Sequence, residues 1–384
     1  MHFIGGNHIQ LLRSGIEYFP ALEHAIQNAK SEIYLQTYIY EEDVTGIRIG
    51  NALIQAVQRG VKVNVLLDGF GSQYLSKTYV QTLRHAGVKV MFYRPKISPW
   101  TFKKNRLRRL HGKVTVIDSK IGFVGGINII DDNNSPHQIP PRIDYAVQIE
   151  GNLLPVITAS VHKLWRRLEW MHLHSLYVPP IKPTRHKLET SNNIKAAYII
   201  RDNILHRRDI EEAYLRAIQA AKSEILIANA YFIPGRKFRK ALIDAAQRGV
   251  KVKLLLQGRK EYFLMFATHA FYNEFLNNGI EIYEYRKSFM HSKVAVIDNY
   301  WATIGSSNID PFSLLLAREA NIIIQDKAFA NDLHTDIEFS IQDGAFIVTA
   351  QEWGKTNLVK HLASWIAYGV VRILLGIIGY GHGH

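Results

Sequence analysis

The sequence predicts an α/β protein built from two similar α/β/α sandwich domains, related by a pseudo-twofold axis, with a site at their interface. Three observations carry this. Strand-like apolar runs alternate with amphipathic helical stretches. The pattern repeats at domain size: AIQNAKSEIYL from Ala25 matches AIQAAKSEILI from Ala217, and AVQRGVKVNVLLDG from Ala56 matches AAQRGVKVKLLLQG from Ala245. Each copy also carries one hairpin with a His-x-Lys start, at His111 and at His291.

Taken in order, His8 to Arg13 reads as a short strand and Gly15 to Ala29 as an amphipathic helix. Ile33 to Tyr40 is a strand, Ile49 to Arg59 a helix closed by Gly60, and Val61 to Leu67 a buried strand of parallel type. Asp68 to Ser72 is then a loop at that strand's C-terminal end, where open α/β sheets bind ligands. Tyr79 to His85 reads as a helix, Val88 to Tyr93 as a strand, and His162 to His172 as a charged helix. Val178 to Pro183 is a proline-rich linker. The expected units are therefore residues 1–180, residues 181–345 and a tail over residues 346–384. The second unit repeats the first down to its opening strand, where Ile199-Ile200-Arg201 matches Leu11-Leu12-Arg13.

The chain has 47 basic and 33 acidic residues, a net charge of +14, which favours an anionic partner such as nucleic acid, a membrane surface or a phosphate-bearing substrate. It has no cysteine, which excludes disulfides and thiolate chemistry. The opening MHFIGGNHIQLL lacks a basic start and a long apolar core, so it is not a signal peptide, and a cytosolic fold is expected. Two further stretches bear on partners. Arg94 to Arg109, RPKISPWTFKKNRLRR, is either a solvated basic loop or an anionic-surface contact at the mouth of the site. Leu362 to Tyr380 is an apolar stretch interrupted by Arg372 and three glycines. It reads as a shallow membrane anchor or as a helix packed on the body.

The candidate chemistry lies in His111 to Asn128, HGKVTVIDSKIGFVGGIN, and its repeat His291 to Asn308, HSKVAVIDNYWATIGSSN. Lys113 to Asp118 is a β-branched strand, so His111 and Lys113 share a face. Asp118-Ser119-Lys120 is a turn signal, and Ile121 to Val124 returns as the second strand. Gly125 and Gly126 permit a close backbone approach, and Asn128 supplies a neutral donor. His291, Lys293, Asp298, Gly305 and Asn308 repeat the spacing. Two imidazoles and two ammonium groups in one cleft suit phosphodiester chemistry without metal. Lys113, Lys293, Asn128 and Asn308 would stabilise charge on phosphorus, one histidine would attack, and the other would move the proton. Symmetry alone leaves open which histidine attacks. No Cys or acidic spacing supports a metal site at His162, His172, His174, His382 or His384, and no metal or cofactor is expected.

At these residues the chain resembles the phospholipase D superfamily, which is marked by a duplicated His-Lys-Asp motif. More narrowly it resembles the bacterial cardiolipin synthases, in the short form without N-terminal membrane helices. Tyr231-Phe232-Ile233-Pro234, Ser307, Asp310 to Ser313 and Leu107 to His111 share that likeness. The resemblance implies two phospholipase D-like domains, with His111 as nucleophile and His291 as general acid and base. It implies that an acid downstream of each motif holds a ring, Glu319 in the second half and Asp144 in the first. Asp118 and Asp298 belong to the catalytic motif, as braces of their hairpins more than as phosphate ligands. One departure is Ala317, where the family usually has Asn. The activity implied joins two phosphatidylglycerols into cardiolipin with release of glycerol, on the cytoplasmic face of the bacterial inner membrane, with peripheral attachment and without nucleic acid. The competing readings are a phospholipase D-type phosphodiesterase or nuclease, and a catalytically idle membrane-binding module.

Overall fold

The first strand sets the frame. In β1 (Ile4–Arg13), buried Asn7, Ile9 and Leu11 alternate with exposed His8 and Gln10, the period of a strand covered on one face. Its counterpart is β10 (Ile194–Arg201), and the two pair antiparallel, Ile4 against Ala196 and Asn7 against Ile194. An antiparallel pair of equivalent strands is a local twofold axis. The structure, a computed structural model, describes residues 1–94, 108–135, 138–173, 193–202, 206–259, 267–310, 317–354 and 369. The linker Val178 to Pro183, most of the basic run Arg94 to Arg109, and the apolar tail apart from Gly369 lie outside these residues.

In the N-terminal half, α1 (Ser14–Asn28), β2 (Glu32–Thr37), α2 (Val44–Gln58), β3 (Lys62–Asp68), α3 (Lys77–His85) and β4 (Lys89–Tyr93) form parallel β-α-β units. They are followed by β5 (Arg109–Leu110), the hairpin β6 (Lys113–Ile117) and β7 (Ile121–Gly125), β8 (Arg142–Ile143), β9 (Tyr145–Gly151) and α4 (Leu154–Leu173). In the C-terminal half, β10 is followed by α5 (Asp209–Ala220), β11 (Glu224–Asn229), α6 (Arg236–Gln247), β12 (Lys251–Gln257), α7 (Tyr272–Leu276) and β13 (Glu281–Tyr285). Then come β14 (Phe289–Met290), the hairpin β15 (Lys293–Ile297) and β16 (Trp301–Gly305), β17 (Ala317–Gln325), α8 (Lys327–Gly344), β18 (Ala345–Val348) and α9 (Ala350–Gly354). The order across the sheet is β4-β3-β2-β6-β7-β9-β1 in one half, meeting β10-β17-β16-β15-β11-β12-β13-β18 in the other. Apart from the added β18, one half reproduces the other.

Helices cover both faces. Leu22, Ile26, Ile49 and Leu53 of α1 and α2 pack on Val63, Val65 and Phe123, and Tyr214, Ile218 and Leu242 do the same work in the second half. On the opposite face α4 and α8 share one apolar layer, which joins Leu154, Ile157 and Val147 to Leu226, Ile322 and Leu333. Polar contacts also cross the twofold: Arg13 of β1 pairs with Asp336 of α8 at 3.0 Å, and the Tyr145 hydroxyl donates to the same residue at 2.6 Å.

Several element ends differ from the expectations. Helix α2 starts at Val44 because Asp43 caps it, accepting from Gly46 N at 2.9 Å. Helix α4 starts at Leu154, well before His162, since Pro155 sits in the first turn, where proline costs no hydrogen bond. Residues 345–348, at the start of the expected tail, form a strand paired with β13, and Trp353 stacks on His269 and Tyr272.

Candidate active site

Each hairpin turns on two residues in the left-handed region, Asp118 (φ 52°) and Ser119 (φ 55°), then Asp298 (φ 53°) and Asn299 (φ 47°). Two positive φ values match the twist of a two-residue hairpin, and Asp and Asn tolerate them. The Asp118 carboxylate accepts from Lys30 N, Ser31 N and Ser31 Oγ at 2.7 Å and from Glu32 N at 2.9 Å. Asp298 repeats this with Lys222 N, Ser223 N, Ser223 Oγ and Glu224 N. Burial works against their charge, but these bonds outweigh it and hold both carboxyls below the usual range. Asp118 and Asp298 thus sit at the far end of the strands that begin with Lys113 and Lys293, tying the hairpin to the preceding strand. The structure keeps them out of the reacting group in which the motif counts them.

The other end of each hairpin forms the site, and there the two halves interlock. Short strand β5 pairs with β17 of the opposite half, and the backbone N–H of His111 donates to Arg318 O at 2.9 Å. Short strand β14 pairs with β8 of the first half, and His291 N donates to Ile143 O at 2.8 Å. The acids follow the same crossing. His111 Nδ1 lies 3.0 Å from Glu319 Oε2, and His291 Nδ1 lies 2.7 Å from Asp144 Oδ2. Each imidazole is therefore held by the carboxylate that follows the other motif. With Nδ1 engaged, Nε2 is the reactive nitrogen of each ring.

Both lysines are buried. Lys113 Nζ donates to His111 O at 2.8 Å, and Lys293 Nζ donates to His291 O and lies 2.9 Å from His291 Nδ1. Burial pushes Lys113 down to about 7 and Lys293 down to about 8, against the pull of Glu319 on the first and Asp144 on the second. Burial and the Lys293 cation push His291 down to about 3, with Asp144 opposing. Asp144 is held below the usual carboxylate range: burial disfavours its charge, but Lys293 and His291 outweigh burial.

The paired glycines have a structural reason. A Cβ on Gly125 would stand 2.4 Å from Ala146 Cα, one on Gly126 would stand 2.2 Å from Asp144 Oδ1, and one on Gly305 would stand 2.2 Å from Asn321. The close approach is to the strand that carries the acid. Asn128 is buried after β7, its Oδ1 accepting from Ile39 N at 3.0 Å, which leaves its NH2 as the donor end. Asn308 is buried at the matching place after β16.

Four positions at the site were missed by the motif reading. Asp68, fully buried, accepts from Leu110 N at 2.7 Å and so fixes the residue before His111. Gln257 stands at the matching place and accepts from Met290 N at 3.1 Å, just before His291. The signal was present: both polar residues end a buried apolar strand at the same repeat position. Tyr38 lies edge-on to His111, ring centroids 4.8 Å apart, with Lys113 Nζ 5.5 Å from its ring. Ser306 Oγ donates to Glu319 Oε2. Away from the site, His162 lies 3.4 Å from Glu32 Oε1 and packs on Tyr34. Among the described residues one set of metal-type donors gathers, Glu224, His334 and Glu338, and Lys253 Nζ already sits there, 2.6 Å from Glu338. His174, His382 and His384, and the His172 side chain, lie outside the described residues.

A family model described as cardiolipin synthase, phospholipase D-like domain, matches this chain twice, over residues 22–138 and 214–339. The chain belongs to this family. Each match contains one of the two hairpins. Cardiolipin synthase B of Shigella flexneri is 36% identical over 398 aligned residues, covering 99% of this chain and 91% of its own. Cardiolipin synthase B of Salmonella typhimurium is 38% identical with the same coverage of both. Among solved structures, phosphatidylserine synthase of Haemophilus influenzae superimposes with a TM-score of 0.70 over 97% of this chain and 95% of its own, at 13% identity. That likeness speaks for the fold, two phospholipase D-like units face to face.

Proposed function

We propose that this member of the cardiolipin synthase family transfers a phosphatidyl group from one phosphatidylglycerol to the terminal hydroxyl of another, giving cardiolipin and glycerol. The observation that carries the mechanism is the crossed pair of histidine–carboxylate contacts around two buried lysines. His111 Nε2 attacks phosphorus, and the P–O bond to the glycerol headgroup breaks as His291 gives that oxygen a proton. His291 then takes the proton of the incoming hydroxyl, which attacks the phosphatidyl-histidine and releases His111. Lys113, Lys293 and the NH2 groups of Asn128 and Asn308 face the negative charge that develops on phosphorus. Burial and the Lys293 cation keep His291 neutral; an anionic phosphodiester beside Lys293 offsets the cation's share, so binding helps this ring take up the proton it must give.

One observation favours the reverse assignment: His291, pushed down to about 3, is a neutral ring ready to attack. Trapping separates the two. Labelled phosphatidylglycerol, quenched in denaturant, should leave covalent label on the parent and on His291→Ala, and none on His111→Ala. Label that persists in His111→Ala and vanishes in His291→Ala reverses the roles. Glycerol and cardiolipin are the expected products on phosphatidylglycerol vesicles; phosphatidic acid as the main product from the outset refutes transfer. Cleavage of single-stranded DNA in a parallel assay, with lipid untouched, would support the nuclease reading, and inactivity on both the idle module.

Among the described residues no helix is long and apolar enough to cross a membrane. Peripheral attachment at the cytoplasmic face, through the basic run and the apolar tail, is part of the same proposal. It is supported by the net charge of +14 and by the lipid named in the relatives' activity.

A further inference from the structure

Among the described residues, six exposed large apolar side chains lie toward the catalytic end of the N-terminal half. The catalytic end of the sheet is where β2 and β3 finish and β6 begins. Val44 (79% exposed) and Ile47 (41%) open the helix that follows β2, and Phe70 (43%) and Tyr74 (77%) lie on the loop that follows β3. These connections are joined: Ser72 Oγ donates to Tyr38 O at 3.0 Å, and Tyr79 OH donates to Gly46 O at 3.1 Å. Both reach the site, since Tyr38 packs on His111 and Arg109 lies 5.7 Å from the Phe70 ring. Helix α4 runs to the same end. Its Leu164, Trp165 and Leu168 pack on Leu66 and Leu110, and beyond them Trp170 (66%) and Met171 (53%) project uncovered.

Six bulky apolar side chains are thus left exposed toward the catalytic end of the sheet, where exposed apolar surface marks an interaction site. Near Trp170 and Tyr74 the setting is basic, with Arg166 and Arg167 one helical turn before Trp170 and Lys77 three residues after Tyr74, whereas Glu41, Glu42 and Asp43 precede Val44 and Arg48 pairs with Glu23 at 3.4 Å. Exposed Trp, Tyr and aliphatic tips mixed with Arg and Lys are the composition of a surface that settles into the headgroup layer. Resting on the reading of a lipid substrate, we infer that this rim docks on an anionic bilayer, so that the His111 side of the cleft opens directly into the membrane surface. The catalytic end is then itself the lipid-binding face, independent of any contribution from the tail. A substrate headgroup reaches His111 with its acyl chains still in the bilayer, and water is displaced from the mouth as it docks.

The absence of cysteine makes the test direct, because a single introduced thiol carries a probe without background. Tyr74→Cys reports the rim, and Tyr300→Cys, also exposed but on the hairpin turn at the opposite end, is the control. Each full-length variant is labelled with an environment-sensitive fluorophore and mixed with phosphatidylglycerol vesicles. The probe at 74 should shift to the blue and the probe at 300 should not. The combined variant Tyr74→Ser, Trp170→Ser, Met171→Ser should partition onto the same vesicles at least about tenfold less well. Its turnover of short-chain, monomeric phosphatidylglycerol should stay near that of the parent. An unshifted probe at 74, equal shifts at 74 and 300, or a combined variant that partitions like the parent overturns the inference. A combined variant that changes only oligomeric state also overturns it, since the rim would then cover a second copy. Probe shift and partition require no turnover. A protein that docks by the rim yet leaves phosphatidylglycerol unchanged therefore keeps this inference and refutes the proposed activity.

Discussion

The two histidines occupy equivalent places in equivalent hairpins, yet their surroundings differ at four positions. His111 is held by a glutamate whose carboxylate also accepts a hydrogen bond from Ser306 Oγ, its ring lies against Tyr38, and the residue before it is fixed by the Asp68 carboxylate. His291 is held by a shorter aspartate beside Gly126, where a side chain has no room, and the residue before it is fixed by the neutral Gln257. Its carboxylate is shared, because Lys293 Nζ stands 3.8 Å from Asp144 Oδ2. Duplication delivers two rings in one cleft, and these substitutions let them do different work. A ring whose acid is also anchored by a serine hydroxyl is suited to one steady role. A ring that competes with a lysine for its acid changes protonation as charge enters the cleft.

Removing the acids should separate the two most strongly. Asp144→Asn removes the anion that His291 and Lys293 share, leaving Lys293 only the weaker pull of Glu319 and Asp310, and should lower kcat by roughly 10²–10⁴-fold, the range of general acid–base catalysis. Glu319→Gln keeps a hydrogen-bonding partner for His111 and leaves Lys293 its anion, so its loss should be smaller. Steady-state turnover on phosphatidylglycerol checks the order, and a larger loss in Glu319→Gln would reverse the division of labour.

Next in size is the exchange of the glycine and serine that back the acids. Gly126→Ser places a Cβ 2.2 Å from Asp144 Oδ1 and should destabilise the fold by about 1–3 kcal/mol while displacing His291. Ser306→Gly fits sterically and removes the hydrogen bond to the Glu319 carboxylate, about 1.5–3 kcal/mol, together with the one Ser306 Oγ accepts from Ala320 N. Denaturant unfolding measures both. The comparison sharpens if only Gly126→Ser changes turnover by more than its change in stability accounts for.

The smallest effect expected is in pH dependence. The lysines stabilise phosphorus charge only when protonated, and they are pushed down to about 7 and about 8 in the free protein. As pH rises through that window the ammonium forms are lost, so kcat/KM should fall on the basic side. The same shift has a stability sign. Folding favours the neutral amines, so the two lysines weaken the fold below their folded values, and that penalty fades as pH rises. A kcat/KM profile flat to pH 9 would show that the lysines stay charged through the working range.

Much of this was legible in the chain. The repeat around Ala25 and Ala217, the β-branched strands and the paired motifs fixed the two-unit α/β fold, because burial period and turn chemistry are local. Asp118 and Asp298 were expected as braces from the family resemblance, but their partners, Lys30 to Glu32 and Lys222 to Glu224, lie 74–88 residues away and are not marked by the turn. The crossing of Asp144 and Glu319 was not legible. It depends on β5 with β17 and β8 with β14, contacts two residues long between segments far apart in sequence. No periodicity marks strands that short. Ala317, the departure from the family pattern, pairs in register with Arg109, two residues before His111, and the contact does not explain the alanine. The exposed rim was equally hidden, since Trp170 and Tyr74 look like ordinary surface until the fold brings them to one end.

The crossing is the central claim, and the imidazole nitrogens report it. Nitrogen-15 NMR of the histidines, assigned through His111→Ala and His291→Ala, gives the hydrogen bonding and tautomer of each ring. Glu319→Gln should move the His111 nitrogen resonances and leave those of His291 nearly in place, and Asp144→Asn should do the reverse. If each substitution instead perturbs the histidine of its own half, the acids are not crossed and the interlocked site described here is wrong.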